Sequence, residues 1–505
     1  SAHCTSTEAQ APASGDGADG QFPRAARRDL GGRVVLPGLI DAHLHLHYYA
    51  LGLQKVDCET ATLEECLERL GERARSGRPG EWVLGHGWDQ NAWGAWPTAA
   101  DLDRVVPDRP AYLTAKSLHA AWANSAALLL AGITAASTDP KDGRIQRDAH
   151  GEPTGILLEG AAALVADLVP APGIPALAEA IDKAQATLWR LGLTGVHDFD
   201  RRESFMALQQ LHSEGRLKLR VVKSIPLELL DSARALGLRS GFGDDWLRIG
   251  SVKVFMDGAL GPRTAAMFEP YDGEPGNRGL LHLDREQLFE LACQAAEAGL
   301  AMAVHAIGDR ANHEALAAYE RLRAYETERS LPHLRHRIEH VQLLRPEDAP
   351  RLARLGVIAS MQPIHATSDM HMADRYWGRR AAYAYALRSQ AEAGAHLAFG
   401  SDAPVESPNP FRGLHAAVTR RRADGSPGPD GWYPAQRLDM QPAVEGYTLG
   451  PAYAACTETR QGRLAPGYLA DLIVLDKDPF TCEPAEVKDM QSSATMVGGE
   501  WVFGA

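Results

Sequence analysis

Short apolar stretches rich in Val, Ile and Leu alternate along most of the chain with longer stretches in which Ala, Leu, Glu and Arg recur at the helical period. The apolar stretches predict eight strands, which are residues 33–47, 192–199, 218–225, 249–258, 300–308, 336–342, 357–363 and 396–405. Eight strands that are each followed by helical sequence predict an α/β fold with a (β/α)8, TIM-like barrel. In such barrels the catalytic residues lie at the carboxyl ends of the strands.

The first two predicted strands are separated by roughly 140 residues, which is far more than a single connecting helix needs. We therefore predict a large insertion at residues 53–185 within a barrel domain of residues 37–460. Half of the ten tryptophans lie in this insertion, namely Trp82, Trp88, Trp93, Trp96 and Trp122. Clustered aromatic side chains form either a local hydrophobic core or a lid that lines an apolar substrate pocket, and the sequence leaves both open.

The two ends of the chain predict a second, smaller domain. Residues 462–480 and 493–504 alternate apolar and polar side chains between Gly/Pro turns, as exposed antiparallel strands do. We predict a small β-sandwich domain built from residues 21–36 and 461–505. Residues 1–20 are small and polar, which predicts a flexible segment.

Composition narrows the classes of function. The formal net charge of −13 disfavours a nucleic-acid partner. The six cysteines are scattered without a Cys-x-x-Cys pair, which argues against a disulfide framework and favours a reducing, cytoplasmic location. No apolar run is long enough to span a bilayer and no secretory leader opens the chain, so we expect no membrane partner. The expected partner is a small-molecule substrate, and a homodimer is an option.

The stretch "DAHLHLH" at residues 41–47 places a polar side chain at every second position of the first predicted strand. Alternation along a strand then puts Asp41, His43, His45 and His47 on one face. Such a face is either a polar strand surface of hydrogen-bonded histidines or a set of metal ligands that bind through neutral imidazole nitrogens. Further ligands at other strand ends would favour the metal.

The carboxyl ends of the other predicted strands supply them in Lys253, His305, His340 and Asp402. Each residue alone has a structural explanation, because a buried histidine can simply be hydrogen-bonded and an aspartate can cap a helix. Lys253 lies between two valines, where its ammonium needs a partner such as Asp257. The alternative is that its amine has taken up carbon dioxide, giving an anionic carbamate that could bridge two divalent cations.

Several motifs together resemble one family. They are "LPGLIDAHLHL", "VKVFMDGALGPRTA", "VHAIGD", "RIEHVQ", "FGSDAPV" and "GYLADLIVLDKDPF", with "GHGWDQ", "HAAWANS" and "GEPTGILLE" in the insertion. In this order they resemble the YtcJ-like branch of the amidohydrolase superfamily, which is related to N-substituted formamide deformylases. The resemblance covers the chain from about residue 30 to its C-terminus.

The resemblance implies a distorted barrel with a binuclear, zinc-type site. His43 and His45 would bind one metal ion, carboxylated Lys253 would lie between the two ions, and His305 and His340 would bind the other. Asp402 would bind the first ion and also move protons. His47 is then a neighbour of the site, because the family pattern uses only the first two histidines.

The chain departs from the family pattern in two places. Members usually supply several strands before the barrel, whereas only about 35 residues precede it here, so we expect an incomplete β-domain. Ser117 and Leu118 precede His119 where this branch commonly has Asp-Gly, which leaves the histidine but changes its neighbours.

These residues predict a metal-dependent amidohydrolase. Two dications would activate water for attack on a polarised carbonyl, with Asp402 as the catalytic general base. We expect the substrate to contact Trp88, Asp89, His119, Arg263, Gln362 and His365, although Arg263 could equally be a structural ion-pair residue. The expected substrate is a small, mostly neutral N-acyl or N-formyl amine. A deaminase or a lactonase/esterase would use the same site, and a non-enzymatic scaffold has no need of such a ligand set.

Overall fold

The structure is a computed structural model that describes residues 28–77, 80–115, 120–140 and 143–504. The predicted flexible segment at 1–20, residues 21–27 of the predicted β-domain and His119 lie outside the described residues. The chain divides into two compact units, one that contains residues 28–49 and 181–504 and one that contains residues 50–180.

The first predicted strand is two strands in the structure. β1 (Val34–Pro37) belongs to a small antiparallel sheet, and β2 (Leu39–Leu44) belongs to the barrel. The strand ends at Leu44, and helix α1 (Leu46–Gly52) follows at once. The prediction that His47 shares a strand face with His43 and His45 is therefore wrong: His47 lies in α1, where its backbone N–H donates to Asp200 Oδ2 at 2.6 Å.

The insertion forms its own unit around a six-stranded mixed sheet in the order β3-β4-β5-β6-β8-β7. Its strands are β3 (Val56–Asp57), β4 (Val83–Trp88), β5 (Ala111–Ala115), β6 (Ala120–Ala123), β7 (Gly143–Arg147) and β8 (Pro153–Glu159). Its helices are α2 (Leu63–Ser76), α3 (Gln90–Trp93), α4 (Ala99–Val105), α5 (Ser125–Leu130) and α6 (Ala163–Ala166). Trp88 and Trp122 are fully buried in its core, with ring centroids 6.2 Å apart. For these two tryptophans the local-core interpretation holds, and the lid stays a prediction.

The barrel is an eight-stranded parallel sheet in the order β15-β14-β13-β12-β11-β10-β9-β2, which confirms the predicted fold class. Its strands after β2 are β9 (Leu193–Asp198), β10 (Arg220–Pro226), β11 (Leu247–Phe255), β12 (Met302–Ala306), β13 (Arg337–His340), β14 (Ile358–Met361) and β15 (Leu397–Phe399). The two edge strands meet just beyond β15, where Asp402 N–H donates to His43 O at 2.7 Å and His45 N–H donates to Ala403 O at 2.8 Å. The barrel is thus nearly closed.

Helices lie between the barrel strands and after the last of them, as the helical period of the sequence predicts. They are α7 (Ile174–Arg190), α8 (Arg202–Ser213), α9 (Leu230–Ala235), α10 (Arg285–Glu297), α11 (Asp309–Glu328), α12 (Arg351–Leu355), α13 (Pro363–Ser368), α14 (Met370–Trp377), α15 (Leu387–Glu392), α16 (Pro410–Thr419), α17 (Met440–Gly446) and α18 (Leu449–Ala454). The start of α10 shows how sequence fixes a boundary, because Asp284 accepts from Glu286 N–H and Gln287 N–H while the Gln287 side chain accepts from Asp284 N–H. In the described part of the chain, no helix is both long enough and apolar enough to cross a membrane.

The small sheet joins both ends of the described chain. β1 pairs antiparallel with β16 (Leu472–Leu475), which continues into β17 (Ser492–Val497) and β18 (Glu500–Phe503). Within residues 28–504 this domain contributes one four-stranded sheet. A buried ion pair ties it to the barrel, since the Arg220 guanidinium donates to both carboxylate oxygens of Asp471 at 2.6 and 2.8 Å.

Candidate active site

The carboxyl ends of the barrel strands surround one cavity of about 350 Å³. Six residues that the sequence predicts as metal ligands line it, namely His43, His45, Lys253, His305, His340 and Asp402. They come from the ends of β2, β11, β12 and β13 and from the turn after β15. The fold therefore brings the predicted ligands together.

The two histidines at the end of β2 are each held from behind by a carboxylate. His43 Nδ1 lies 2.6 Å from Glu339 Oε2, and His45 Nδ1 lies 3.0 Å from Asp200 Oδ1. In each ring the Nδ1–H donates to its carboxylate, so Nε2 is the ring atom that faces Asp402 and could bind a metal. Both Nε2 atoms face Asp402 Oδ1, at 3.5 Å for His43 and 3.4 Å for His45. This arrangement leaves two imidazole nitrogens and a carboxylate oxygen ready for one cation.

The turn after β15 is fixed against β2 by a buried carboxylate. Asp41 accepts from the backbone N–H of His43 at 3.0 Å and from the Ser401 hydroxyl at 2.5 Å. A Cβ at Gly400 would lie 2.4 Å from the backbone nitrogen of His43, so only glycine allows this approach. Asp402 then has a φ of +61°, an uncommon conformation that the surrounding contacts hold. The local structure thus aims the Asp402 side chain at the β2 histidines.

The end of β13 serves the site with two consecutive residues. Consecutive side chains of a regular strand point to opposite faces. Glu339 and His340 nevertheless both reach the site, because the backbone leaves the strand conformation, with φ of +75° at His340 and +46° at Val341. His340 Nδ1 lies 2.8 Å from Gln362 Oε1 and donates to it, which leaves Nε2 free as a ligand atom. Gln362 is thus a positioning residue for His340 in the structure, and its predicted contact with substrate stays a prediction.

His365, at the start of α13, lines the same cavity but is held differently. Gln342 Nε2 lies 3.4 Å from His365 Nδ1 and donates to it, so the ring carries a hydrogen on Nε2. That Nε2 is buried without a hydrogen-bond partner and lies 3.9 Å from Asp402 Oδ2. His365 therefore offers a donor to whatever enters the cavity, and its predicted contact with substrate stays a prediction.

Lys253 is buried, and within the described residues its amine forms neither an ion pair nor a hydrogen bond. Its Nζ lies 4.7 Å from the ring centroid of Phe199 and 4.9 Å from that of Phe255. The alternative that Asp257 neutralises it fails, since that carboxylate accepts from three backbone N–H groups, those of Ala266, Ile307 and Gly308. Burial lowers the pKa of Lys253 to about 8. A fraction of the amine is therefore neutral near pH 7.

His305 completes the set from the end of β12. Its Nε2 lies 3.0 Å from the carbonyl oxygen of Gly258, to which it donates, so Nδ1 carries the free lone pair. Its ring centroid lies 4.6 Å from that of His340. The two imidazoles are thus neighbours, as the resemblance implies for ligands of one ion.

The charge states of the site are set mainly by burial. Burial lowers the pKa of His43 to about 4, that of His305 to about 3 and that of His340 well below its usual range, so these rings are neutral. Burial also acts on His45, but hydrogen bonds to two carboxylates outweigh it and raise the pKa of His45 to about 9. The hydrogen bond from His45 and the nearby histidines hold the pKa of Asp402 well below its usual range despite burial. His43, His305, His340 and Asp402 thus have the protonation states that metal binding requires, whereas the His45 ring would release its Nε2 proton when a cation binds.

The residues fit a divalent metal. Potential ligand atoms form two groups, and within each group they all lie within 4.8 Å of one another. One group is His43, His45 and Asp402, and the other is His340, His365 and Asp402. Asp402 is shared by both groups. Imidazole and carboxylate donors, with hydrogen-bonded carboxylates behind the rings, suit zinc and its neighbours in the first transition series.

Of the other predicted substrate contacts among the described residues, two belong to the insertion and one forms an ion pair. Trp88 is fully buried in the core of the insertion, where its indole N–H donates to Leu113 O at 3.1 Å, and Asp89 follows it, half-buried. Arg263 forms an ion pair with Glu274, which agrees with its structural interpretation. The substrate roles of all three stay predictions.

Sequence reasoning missed the carboxylates behind the β2 histidines. Asp200 follows β9 in "GVHDFD", and Glu339 directly precedes His340 in "RIEH". Their position at strand ends was a usable signal, because functional residues concentrate there. The pairing of these carboxylates with His45 and His43 gave no such signal, since the paired residues are 155 and 296 residues apart in the chain.

Comparison with known proteins gives the same picture over the whole chain. The amidohydrolase family profile matches residues 27–503. This chain belongs to the amidohydrolase family. It is 34% identical to YtcJ of Bacillus subtilis (strain 168) over 492 residues, which cover 95% of this chain and 91% of that protein. It is 31% identical to the N-substituted formamide deformylase of Arthrobacter pascens, covering 94% of this chain and 90% of that protein.

A solved structure agrees with the fold of this amidohydrolase. It is an uncharacterized metal-dependent hydrolase from Pyrococcus horikoshii OT3, with a TM-score of 0.76 and 31% sequence identity. The match covers 92% of this chain and 90% of that one. The family and this neighbour together make the protein a metal-dependent hydrolytic enzyme on a TIM-like barrel.

Proposed function

We propose that this amidohydrolase cleaves the amide-type C–N bond of a small, mostly neutral N-acyl or N-formyl amine, giving a carboxylic acid and an amine. The observation that carries the proposal is that all six predicted ligand side chains line one cavity, with Nε2 of His43 and of His45 both close to Asp402 Oδ1. The similarity to a formamide deformylase supports the bond type.

The metal centre in this proposal is two zinc ions. His43, His45 and Asp402 would hold one, His305 and His340 the other, and a carbamate on Lys253 would lie between them. Carbamate formation needs a neutral amine, and the lowered pKa of Lys253 supplies one near neutral pH. When bound, the ions would lower the pKa of water and polarise the substrate carbonyl.

Asp402 would move the proton. Its Oδ1 faces the β2 histidines, and its Oδ2 faces His365 Nε2 at 3.9 Å. Oδ2 is thus the oxygen that would take the proton of the attacking water and pass it to the leaving nitrogen. His365 Nε2–H would donate to the substrate on the same side and orient it for that transfer.

The test is metal analysis followed by kinetics. We expect about two zinc ions per chain after metal-replete expression, as the ligand set requires. N-benzylformamide, an N-acyl amino acid and an aryl lactone are then compared at matched concentrations. Hydrolysis of at least one amide above the metal-only background supports the proposal, whereas clear preference for the lactone with neither amide cleaved would replace it with the esterase alternative.

A further inference from the structure

One wall of the cavity carries two carboxylates that the hydrolytic chemistry leaves unused. Asp369 lies between α13 and α14, and Glu406 lies in the loop before α16. Both line the cavity and both are half-buried. Within the described residues neither forms an ion pair, although Asp369 Oδ2 accepts from the Tyr385 hydroxyl at 2.6 Å.

A buried acceptor on the same wall also lacks a partner. Gln342 lines the cavity and is 4% exposed, and its side-chain Oε1 has no hydrogen-bond partner. The backbone oxygen of Gln342 accepts from Tyr385 N–H, and the Tyr385 hydroxyl donates to Asp369, so Tyr385 links the two residues. A buried acceptor left unpaired has lost its hydrogen bonds to water, and a ligand that donates a hydrogen bond would recover that cost.

Within the described residues no lysine or arginine forms an ion pair with this wall. Lys253 is the one lysine or arginine among the described residues that line the cavity, and it lies on β11 at the metal end. Arg422 lies near Glu406, but its guanidinium donates to the carbonyl oxygens of Thr367 and Ser368 at 2.9 and 2.8 Å. Tyr385 donates a hydrogen bond to Asp369 and Ser368 donates one to Glu406, but within the described residues neither carboxylate has an ion-pair partner.

We propose that the wall formed by Gln342, Asp369 and Glu406 binds a cationic, hydrogen-bond-donating group of the substrate, an ammonium or a guanidinium. The inference rests on the proposed function and adds to it one charged substituent on an otherwise neutral amide. The scissile amide occupies the metal end, next to Asp402 and His365. The stem between the two groups passes apolar lining such as Leu260 and Met372.

The first experiment is a binding measurement that does not depend on turnover. Butylguanidinium and butylurea have nearly the same shape but differ by one charge. Calorimetric titration of the zinc-loaded protein should give a dissociation constant on the order of tenfold lower for butylguanidinium, as hydrogen bonds to charged groups predict. The double variant Asp369→Asn/Glu406→Gln should lose that preference, whereas Glu328→Gln, an exposed acid on α11, should keep it.

Equal binding of the two compounds by the wild-type protein overturns the inference, and so does a preference that survives in the double variant. If the double variant does not fold, the single variant Glu406→Gln is measured and should lose part of the preference. A second experiment compares turnover of N-(aminohexyl)formamide and N-heptylformamide. Selective binding of butylguanidinium with no cleavage of either formamide would keep the cation site and reject the amide assignment, so the two failures are distinguishable.

Discussion

The two halves of the candidate metal site hold their imidazoles in different ways. At the end of β2, buried carboxylates stand behind His43 and His45. On the other side, neutral oxygens stand behind the rings, since the amide oxygen of Gln362 accepts from His340 and the backbone amide oxygen of Gly258 accepts from His305. A carboxylate that accepts from an imidazole makes the ring a more basic ligand, whereas an amide fixes its orientation with little electronic effect. We infer that the β2 half binds its cation more tightly and that the other half is the more exchangeable one.

Lys253→Ala should have the largest effect, because the proposed bridge is what lets two unequal halves hold a pair of ions. We expect loss of most bound metal and of turnover. Elemental analysis gives the metal content, and carbon-13 bicarbonate labelling should give a carbamate resonance in the wild-type protein that the variant lacks. Lys183→Ala, an exposed lysine on α7, is the matched control. Full metal content in Lys253→Ala would show that the halves need no bridge.

Asp402→Asn acts on the residue that both halves share. The amide keeps the size of the side chain but cannot take up the proton, so turnover should fall by about 10² or more while much of the metal remains. Steady-state kinetics and elemental analysis on the same sample separate the two effects, with Asp430→Asn as an exposed control. Near-normal turnover in Asp402→Asn would remove its assigned role.

Asp200→Asn and Gln362→Met test the comparison directly. Loss of the carboxylate behind His45 should weaken zinc binding by about 10–100-fold, as changes behind metal-bound histidines commonly do. Loss of the amide behind His340 should weaken it less, by under about tenfold. Competition with a chelating dye measures both constants. Equal losses of zinc affinity in the two variants would mean that the charge of the group behind each ring does not make one half bind its ion more tightly.

The smallest effect concerns the pH dependence of stability in chelator-treated protein. His45 has a pKa raised from 6.5 to about 9, so the folded state keeps a proton that the unfolded chain releases. Its contribution is present below pH 6.5 and is lost as the pH rises through 9. His340 has a pKa well below 6.5, so the unfolded chain binds the extra proton and stability is lost as the pH falls below that value.

Urea unfolding at several pH values should therefore separate the halves. His45→Gln should flatten the decline in the free energy of unfolding on the alkaline side, and His340→Gln should flatten the decline on the acid side. The same slope change in both variants would contradict the opposite protonation states of these two rings.

The sequence by itself determined the barrel, the order of its strands and seven residues that line the cavity. These features are local, because alternation marks a strand and the position after it marks the catalytic face of a barrel. The same local logic failed at His47, since the chain turns into α1 directly after the second histidine and no alternation continues there.

Only the tertiary structure decided what stands behind each ligand. Asp200 reaches His45 and Glu339 reaches His43 across separations that no sequence period encodes. Two consecutive residues of β13 can both serve the site because the backbone turns to positive φ at His340 and Val341. The wall of Gln342, Asp369 and Glu406 likewise exists only because the segment after β13, the α13–α14 junction and the loop before α16 meet around one cavity. Strand positions follow from nearest neighbours along the chain, whereas charge states and hydrogen-bond partners follow from neighbours in space.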